Sequence, residues 1–227
     1  MSCYTIHSPS WTAYFDDQNR LHRDNGPARV WSNGQEEWLR HGLRHRDGDL
    51  PAIEYGYDFR FEWWVAERLH REGDQPAVVT PRNQEWFLDG KRSRGNDQPA
   101  VRQKLIFENG QVGFNEEWWT NGVRHRANGN PAIIELNPST GLWMRKEWWL
   151  NGRLDREFNY PAVVLNLGGD QRRYEWFYRG VRHRNGGPAI KDTRQMYYAW
   201  YENGELIAEK QFKQPEIEIV NWQKEGF

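Results

Sequence analysis

The sequence has little of several features by which the class of a protein is usually recognised. Cys3 is the only cysteine among 227 residues, which excludes a disulfide framework and a multi-cysteine zinc site and favours a reduced, cytoplasmic location. No apolar run approaches the roughly 18 residues that a membrane-spanning helix requires, and the first residues lack the basic and apolar regions of a secretory signal. We therefore expect a cytoplasmic protein that does not act at a membrane.

The sequence also lacks an excess of charge of one sign, and it has few aliphatic residues. The 31 basic and 32 acidic residues leave a net charge of -1, so the composition does not indicate a nucleic-acid-binding or polybasic protein. Leu, Ile, Val and Phe together number 44, which is few enough to raise the question of disorder. However, the 14 Trp, 10 Tyr and 10 Phe residues argue against disorder, since each ring can bury about 150–250 Å². The composition predicts a folded chain with an aromatic core.

The aromatic residues belong to a repeated block. In each block an aromatic residue is followed by a Pro-Ala pair, with the proline thirteen residues later in six blocks and one residue sooner in a seventh. The aromatic and proline positions are Tyr14 and Pro27, Trp38 and Pro51, Trp63 and Pro76, Trp86 and Pro99, Trp118 and Pro131, Trp148 and Pro161, and Trp176 and Pro188. An eighth, degenerate copy begins at Trp200. We predict a single repeat domain, residues 1–227, with repeats that start near residues 13, 37, 62, 85, 117, 147, 175 and 199.

Each block also contains a signal for a tight turn. Asn121-Gly122 lies between short runs of apolar and arginine residues, and Asn-Gly is the strongest local signal for a two-residue type I′ β-hairpin. Ala66-Glu67 lacks the glycine and predicts a strained turn or one of another type. A two-residue turn fixes the register, so that Trp119 faces Arg124 and, two positions further out, a glutamate faces an arginine. The predicted Glu–Arg pairs are Glu37–Arg46, Glu62–Arg71, Glu85–Arg94, Glu117–Arg126, Glu147–Arg156 and Glu175–Arg184.

The residues after each Pro-Ala pair predict a further strand. They are apolar, as in Ala132-Ile133-Ile134, and proline is tolerated at the start of a strand, where its missing N–H costs least. The predicted fold is all-β: one elongated, twisted antiparallel sheet of about eight repeated β-hairpins. We expect the N-terminal segment from Tyr4 to Tyr14 and the tail at 215–222 to cap the edges of this sheet.

Two of these stretches, NGVRHRANGNPA at residues 121–132 and RGVRHRNGGPA at residues 179–189, resemble a variant of the MORN repeat. The Asn-Gly turn and His125 match the frame of that repeat, whereas Arg46, Arg126 and Arg184 stand where the usual repeat has glycine. The resemblance extends from residue 13 to about residue 206, and repeats of this form occur in bacterial, phage and large-virus proteins. It implies a single-layered row of β-hairpins that acts as a scaffold or binding surface, without catalysis.

Histidine recurs in most blocks and raises the question of a metal or catalytic site. Its positions are His22, His45, His70, His125 and His183, with Ser93 and Asp155 in two other blocks. Successive histidines would lie at least two strands apart, about 10 Å, which is too far for both to bind one metal ion. We expect each imidazole to pack beside tryptophan and to satisfy a backbone group. Since the sequence contains no Gly-rich phosphate loop, nucleophile elbow or paired-cysteine motif, we predict a protein that is not an enzyme and has no metal or cofactor.

The second aromatic residue of each block gives the best candidate for a binding surface. Strand alternation places these rings on one face together with the arginines opposite them. Aromatic rings and guanidinium groups are enriched at protein interfaces, and they can also stack on bases or sugars. A row of uncovered rings would exceed the apolar patch of a soluble monomer, so loops, a second copy of the chain or another partner should cover it. The candidate binding residues are Trp64, Arg92, Trp119, Arg124, Trp149, Phe177 and Arg182.

Two functions are open at this point. The first is a non-enzymatic protein-binding module, which contacts its partner through the aromatic and arginine face or through the variable loops 102–116, 133–146 and 163–174. The occurrence of similar repeats suggests a specific form, a phage- or mobile-element-encoded inhibitor of a host defence protein. The second is a module that binds or sequesters a nucleotide, nucleic acid or carbohydrate by stacking on Trp119 or Trp149. A homodimer is compatible with either function.

Overall fold

The computed structural model describes residues 3–212, and within this range the regular elements are all β-strands. The strands are β1 (Tyr4–Ser8), β2 (Trp11–Phe15), β3 (Arg29–Trp31), β4 (Glu36–Glu37), β5 (Leu39–Arg40), β6 (Leu43–Arg44), β7 (Ile53–Tyr55), β8 (Arg60–Glu62), β9 (Trp64–Val65), β10 (Arg68–Leu69), β11 (Val78–Val79), β12 (Asn83–Glu85), β13 (Phe87–Leu88), β14 (Lys91–Arg92), β15 (Val101–Ile106), β16 (Val112–Glu117), β17 (Trp119–Thr120), β18 (Val123–Arg124), β19 (Ile133–Leu136), β20 (Trp143–Glu147), β21 (Trp149–Leu150), β22 (Arg153–Leu154), β23 (Val163–Gly168), β24 (Gln171–Glu175), β25 (Phe177–Tyr178), β26 (Val181–Arg182), β27 (Ile190–Asp192), β28 (Tyr197–Glu202) and β29 (Glu205–Gln211). This part of the chain contains no helix with the length and apolar character needed to cross a bilayer.

Seventeen of the strands form one antiparallel sheet. Its order is β1, β2, β3, β4, β7, β8, β11, β12, β15, β16, β19, β20, β23, β24, β27, β28 and β29, so each strand pairs with the next sheet strand along the chain. This meander confirms the predicted all-β repeat sheet. The expected N-terminal cap, β1 and β2, forms one edge, whereas the expected C-terminal cap at 215–222 lies outside the described residues.

The other twelve strands form six small hairpins that lie outside the long sheet. They are the pairs β5–β6, β9–β10, β13–β14, β17–β18, β21–β22 and β25–β26. In β17–β18, Trp119 faces Arg124 and Thr120 faces Val123, as predicted. The turn residues Asn121 and Gly122 have φ values of 51° and 81°, the left-handed values that a type I′ turn requires at both positions. Along most of the chain, a unit therefore consists of two strands of the long sheet followed by one small hairpin.

The predicted Glu–Arg pairs are wrong, because the register of each small hairpin ends before it reaches them. The outermost backbone bond of β17–β18 joins the N–H of His125 to the carbonyl of Trp118 at 3.1 Å. The N–H of Trp118 belongs to the long sheet instead and donates to Ala132 at 2.8 Å, so that Glu117 lies opposite Ile133. Within residues 3–212, none of the pairs Glu37–Arg46, Glu62–Arg71, Glu85–Arg94, Glu117–Arg126, Glu147–Arg156 and Glu175–Arg184 forms an ion pair.

The alanine of the Pro-Ala pair is the most buried residue of each unit. Ala132 donates its N–H to Glu147 at 2.7 Å and accepts the N–H of Trp118. Trp118 is buried as well, with 7% of its surface exposed. All seven alanines of the Pro-Ala pairs are fully buried, namely Ala28, Ala52, Ala77, Ala100, Ala132, Ala162 and Ala189. The core is thus a narrow row of alanine, tryptophan and branched aliphatic residues along the sheet, and is less purely aromatic than the composition predicts.

The turn at Ala66-Glu67 leads to a prediction about stability. Both residues have left-handed φ values, 45° and 65°, in a turn where the other units have glycine at the second position. Alanine is sterically disfavoured in this conformation and asparagine tolerates it, so Ala66→Asn should raise the free energy of unfolding by about 0.5–1 kcal/mol. Urea unfolding followed by tryptophan fluorescence measures the change. The reverse substitution, Asn121→Ala, should lower stability by a similar amount, and unchanged midpoints in both variants would contradict this explanation.

Candidate functional site

The structure brings most of the predicted binding residues into rows in which arginine and aromatic side chains alternate. The longest row crosses three consecutive hairpins and consists of Phe87, Arg92, Trp119, Arg124 and Trp149; we call it the arginine–aromatic ladder. The guanidinium carbon of Arg92 lies 5.2 Å from the ring centre of Phe87 and 4.9 Å from that of Trp119. The guanidinium carbon of Arg124 lies 4.7 Å from the Trp119 ring centre and 4.6 Å from that of Trp149. Four predicted residues are therefore joined, together with Phe87, by cation–π contacts.

Three predicted residues lie outside this ladder. Phe177 and Arg182 form a separate row with Tyr201, in which the Arg182 guanidinium carbon lies 5.2 and 5.1 Å from the two ring centres. Trp64 contacts Arg44 of the preceding hairpin at 4.9 Å. The candidate surface is therefore divided into three rows.

Leucine occupies the arginine position at both breaks between the rows. Leu69 faces Trp64 across one hairpin, and Leu154 faces Trp149 across another. An aliphatic side chain provides no charge to attract the ring of the next hairpin. The arginine–aromatic alternation stops at these positions.

Glutamate residues at the ends of sheet strands neutralise the arginines of the ladder. The Arg92 guanidinium donates to Glu85, and that of Arg124 donates to Glu117 at 2.9 Å. Glu117 also accepts the indole N–H of Trp119 at 2.9 Å. Burial would raise the pKa of Glu117, but the hydrogen bonds from Arg124 and Trp119 and the arginine charge hold it below its ordinary value. Glu117 therefore forms an ionised pair with Arg124, and both arginines of the ladder have a carboxylate partner.

The rings of the ladder are half-buried, and guanidinium groups already cover them. Trp119 has two guanidinium carbons within 5 Å of its ring centre, at 4.9 and 4.7 Å. A base or a sugar needs a free ring face for stacking. A protein side chain can instead pack on ring edges and on the aliphatic stems of arginine. This geometry favours a broad contact with a protein surface over stacking of a flat ligand on Trp119.

Backbone hydrogen bonds stack consecutive hairpins on one another. The N–H of the second turn residue donates to a carbonyl of the preceding hairpin, as from Gly122 to Arg92 at 2.8 Å. In five units the N–H of the first turn residue donates to the side chain at the histidine position of the preceding unit. The acceptors are His22 at 3.2 Å, His70 at 3.1 Å, Ser93 at 3.3 Å, Asp155 at 3.1 Å and His183 at 3.3 Å. Serine and aspartate can replace histidine because each supplies a side-chain acceptor.

Three aspartates that sequence reasoning missed join neighbouring units. Asp97, in the loop after one hairpin, accepts Nε–H and Nη2–H of Arg126 in the next unit at 2.7 and 2.8 Å. The equivalent pairs are Asp49–Arg71 and Asp74–Arg94. A sequence signal was present, since each of these aspartates stands two residues before the proline of its block. Their partners could not be predicted from it, because each pair joins one unit to the next.

Comparison with known proteins provides no relative from which a site could be transferred. No protein-family model matches the sequence, and no curated protein is significantly similar to it. The described part of the chain also has no group of three or more His, Cys, Asp or Glu side chains placed to hold a metal ion. Equivalent positions in the repeated units can instead be compared with one another.

The histidine position leads to a prediction about hydrogen bonding. His70→Ala removes the acceptor of the Asp89 N–H and should lower the free energy of unfolding by about 0.5–1.5 kcal/mol. His70→Ser, which copies Ser93, should retain most of that stability. His125→Ala is the matched control, because Nδ1 of His125 has no partner among the described residues. Equal losses for all three variants in urea unfolding would show that the acceptor does not matter.

The aspartates that join neighbouring units lead to a prediction about stability at low pH. The hydrogen bond from Arg126 lowers the pKa of Asp97 below its ordinary value of 3.8, against the opposing effect of burial. A carboxylate whose pKa is lowered by folding stabilises the folded state above its ordinary pKa, and this contribution is lost as the pH falls below it. Asp97→Asn should therefore lose less stability than the wild type between about pH 5 and pH 2. Asp58→Asn, in an exposed turn, is the control and should follow the wild type; identical acid profiles for wild type and Asp97→Asn would be the contrary result.

Proposed function

We propose that the protein is a non-enzymatic protein-binding module and that the arginine–aromatic ladder is its contact surface. Tryptophan and arginine are the residues that most often dominate the energy of protein interfaces. Here they are held in place by one another and by Glu85 and Glu117, so binding should immobilise few additional side-chain rotamers. The observation that carries the proposal is this preorganised, half-exposed row of tryptophan and arginine side chains.

The proposal has a narrower form that concerns the partner. Repeats similar to these occur in phage and bacterial proteins, which supports an inhibitor of a host defence protein, encoded by a phage or mobile element and acting in the cytoplasm. The net charge of -1 and the neutralised ladder provide little long-range attraction. Recognition through the ladder should therefore depend on shape and apolar contact, and only weakly on salt.

The alternative function, binding of a nucleotide, nucleic acid or carbohydrate, depends on an uncovered ring. Trp149 at the end of the ladder is the best candidate, since Arg124 covers it at 4.6 Å and Leu154 lies opposite it in its own hairpin. Trp119, in contrast, has arginines of two hairpins against it. If the alternative function holds, stacking should therefore occur on Trp149.

Substitutions in the ladder test the protein-binding proposal. The partner is identified by affinity capture from a bacterial lysate, and dissociation constants are then measured with purified components. Trp119→Ala and Arg124→Ala should each weaken binding at least about tenfold and leave the β-sheet circular dichroism unchanged. Tyr57→Ala is the control, because Tyr57 is 80% exposed and lies outside the ladder.

The outcomes separate the two functions. Wild-type affinity in both ladder variants would contradict the ladder as the interface. Quenching of tryptophan fluorescence by oligonucleotides or oligosaccharides, abolished by Trp149→Ala, would favour the alternative function. A dimer in sedimentation experiments that Trp119→Ala dissociates would identify a second copy of the chain as the partner.

A further inference from the structure

The loops before the Pro-Ala pairs contain a second kind of arginine site, distinct from the ladder. The guanidinium carbon of Arg126 lies 3.8 Å from the ring centre of Trp118, and its Nη1 donates to the carbonyl of Pro131 at 3.3 Å. Its remaining donors, Nε and Nη2, bind the two carboxylate oxygens of Asp97. Arg71 and Arg94 have the same three kinds of contact. The described structure thus shows three times that this site binds a carboxylate in bidentate fashion.

The next two units keep the stacked arginine and its bond to the proline carbonyl. Arg156 lies 3.7 Å from the ring centre of Trp148, and its Nη1 donates to Pro161 at 3.3 Å. Arg184 lies 3.8 Å from the ring centre of Trp176, and its Nη1 donates to Pro188 at 3.2 Å. Both guanidinium groups therefore keep these two contacts of Arg126, and that of Arg156 also lies 5.1 Å from the ring centre of Tyr160.

The carboxylate is missing in these two units because Gly129 and Asn159 occupy the position of Asp97. The backbone shows that the positions are equivalent, since the indole N–H of the following tryptophan donates to each of the three carbonyls, at 2.9 Å for Asp97, 2.8 Å for Gly129 and 2.9 Å for Asn159. The three residues also share a left-handed φ, at 53°, 68° and 56° respectively. The change at this position is therefore in the side chain and not in the backbone.

Donors of Arg156 and Arg184 that bind aspartate in the earlier units have no acidic partner here. Over residues 3–212, neither arginine forms an ion pair, and Nε of Arg184 is buried without a hydrogen-bond partner. Burial lowers the pKa of both guanidinium groups, which a bound carboxylate would offset. The nearby Asp155 carboxylate accepts the N–H of Arg179, and Glu157 is exposed. The two sites are thus preformed cationic sites.

Two neighbouring clefts lead to these arginines. Their volumes are about 460 and 440 Å³. The first contains Gly129, Trp148 and Arg156, and the second contains Asn159, Trp176 and Arg184. Phe158 and Tyr160 line both clefts and are 84% and 56% exposed. Two exposed aromatic side chains therefore lie between two cationic sites.

The backbone at Phe158 is unusual for an aromatic residue. Its φ is 60°, a left-handed value that is sterically unfavourable for a bulky side chain. The four preceding loops have small or amide residues at this position, namely Gly48, Gly73, Asn96 and Asn128. An exposed ring held in a strained conformation does not contribute to the core, and strain of this kind is concentrated at binding sites.

We propose that Arg156 and Arg184 each bind a carboxylate from an acidic segment of the partner protein, and that Phe158 and Tyr160 pack against an apolar residue between those carboxylates. The inference deepens the proposed function and rests on it, because the ligand is part of a protein. Successive units are two strands apart, about 10 Å, which a segment in the polyproline II conformation covers in about three residues at about 3.1 Å each, and its three residues per turn bring both acidic side chains to the same face. The recognised segment therefore carries two Asp or Glu residues three positions apart with apolar residues between them.

Two substitutions can fill these sites from within the chain. Gly129→Asp and Asn159→Asp place a carboxylate where Asp97 has one. A side chain at Gly129 would meet nothing within 4 Å of its Cβ, and Asp97 already adopts the left-handed φ of this position. The double variant should fold as the wild type does and lose the binding of an acidic peptide. Asp97→Asn is the converse change and should open a further peptide site at Arg126.

The probe is a short fluorescent peptide that contains Glu-Leu-Leu-Glu, compared with versions that contain Gln or phosphoserine in place of both glutamates. At low ionic strength, the wild type should bind the glutamate peptide at least about tenfold more tightly than the glutamine peptide. Gly129→Asp/Asn159→Asp should abolish that difference. Equal binding of the two peptides by the wild type, or a preference that persists in the double variant, would overturn the proposal. A phosphoserine peptide that binds more than about tenfold more tightly than the glutamate peptide would assign the sites to phosphate instead.

The ladder variant Trp119→Ala separates this inference from the proposed function. It leaves both clefts intact and should bind the glutamate peptide as the wild type does. If the peptide fails to bind while ladder variants still weaken the partner, the carboxylate sites alone are wrong. If the peptide binds as expected while ladder variants leave the partner unaffected, the ladder is wrong and the loop sites stand.

Discussion

The guanidinium group of Arg126, which stacks on the first aromatic residue of its block, links three parts of the structure. Arg126 covers Trp118, bonds the carbonyl of Pro131 just before the next buried alanine, and reaches back to Asp97 in the preceding loop. It therefore positions the ring, the start of the next sheet strand and the neighbouring unit together. A hairpin with two residues in each strand is too short to be stable alone. The stability of each unit thus depends on its neighbours, as in other repeat proteins.

The same chemistry produces both the structural and the proposed binding arginines. Ladder arginines such as Arg124 lie between rings and bind a glutamate, and loop arginines such as Arg126 bind an aspartate of the preceding unit. Gly129 and Asn159 stand at the position of Asp97, where they lack the carboxylate but keep the same backbone conformation and the same bond from the following indole N–H. Under the proposed function, this change at two side-chain positions turns an internal contact into a surface for a partner without a change of fold.

The local features of this fold could be predicted from the sequence, and the contacts between units could not. Asn121-Gly122 determines both the turn type and the facing pair Trp119–Arg124, because a two-residue turn leaves one register. The arginine partner of Glu117 was predicted wrongly, since the N–H of Trp118 bonds to the long sheet and ends the hairpin there. Strand alternation identified four of the five ladder residues as candidates and left out Phe87. The coverage of their rings depends on how separate hairpins stack, and short-range spacing carries no information about that.

Hydrogen exchange of arginine Nε–H groups, followed by NMR, tests the central claim most directly. This claim is that the residue at the Asp97 position decides whether Nε and Nη2 of the arginine stacked in the next unit are bonded within the chain or left free. We predict slow exchange for Arg126, whose Nε–H is bonded to Asp97, and fast exchange for Arg156, which keeps its ring and proline contacts without a carboxylate. Equal exchange rates for the two groups in the wild-type protein would contradict the claim.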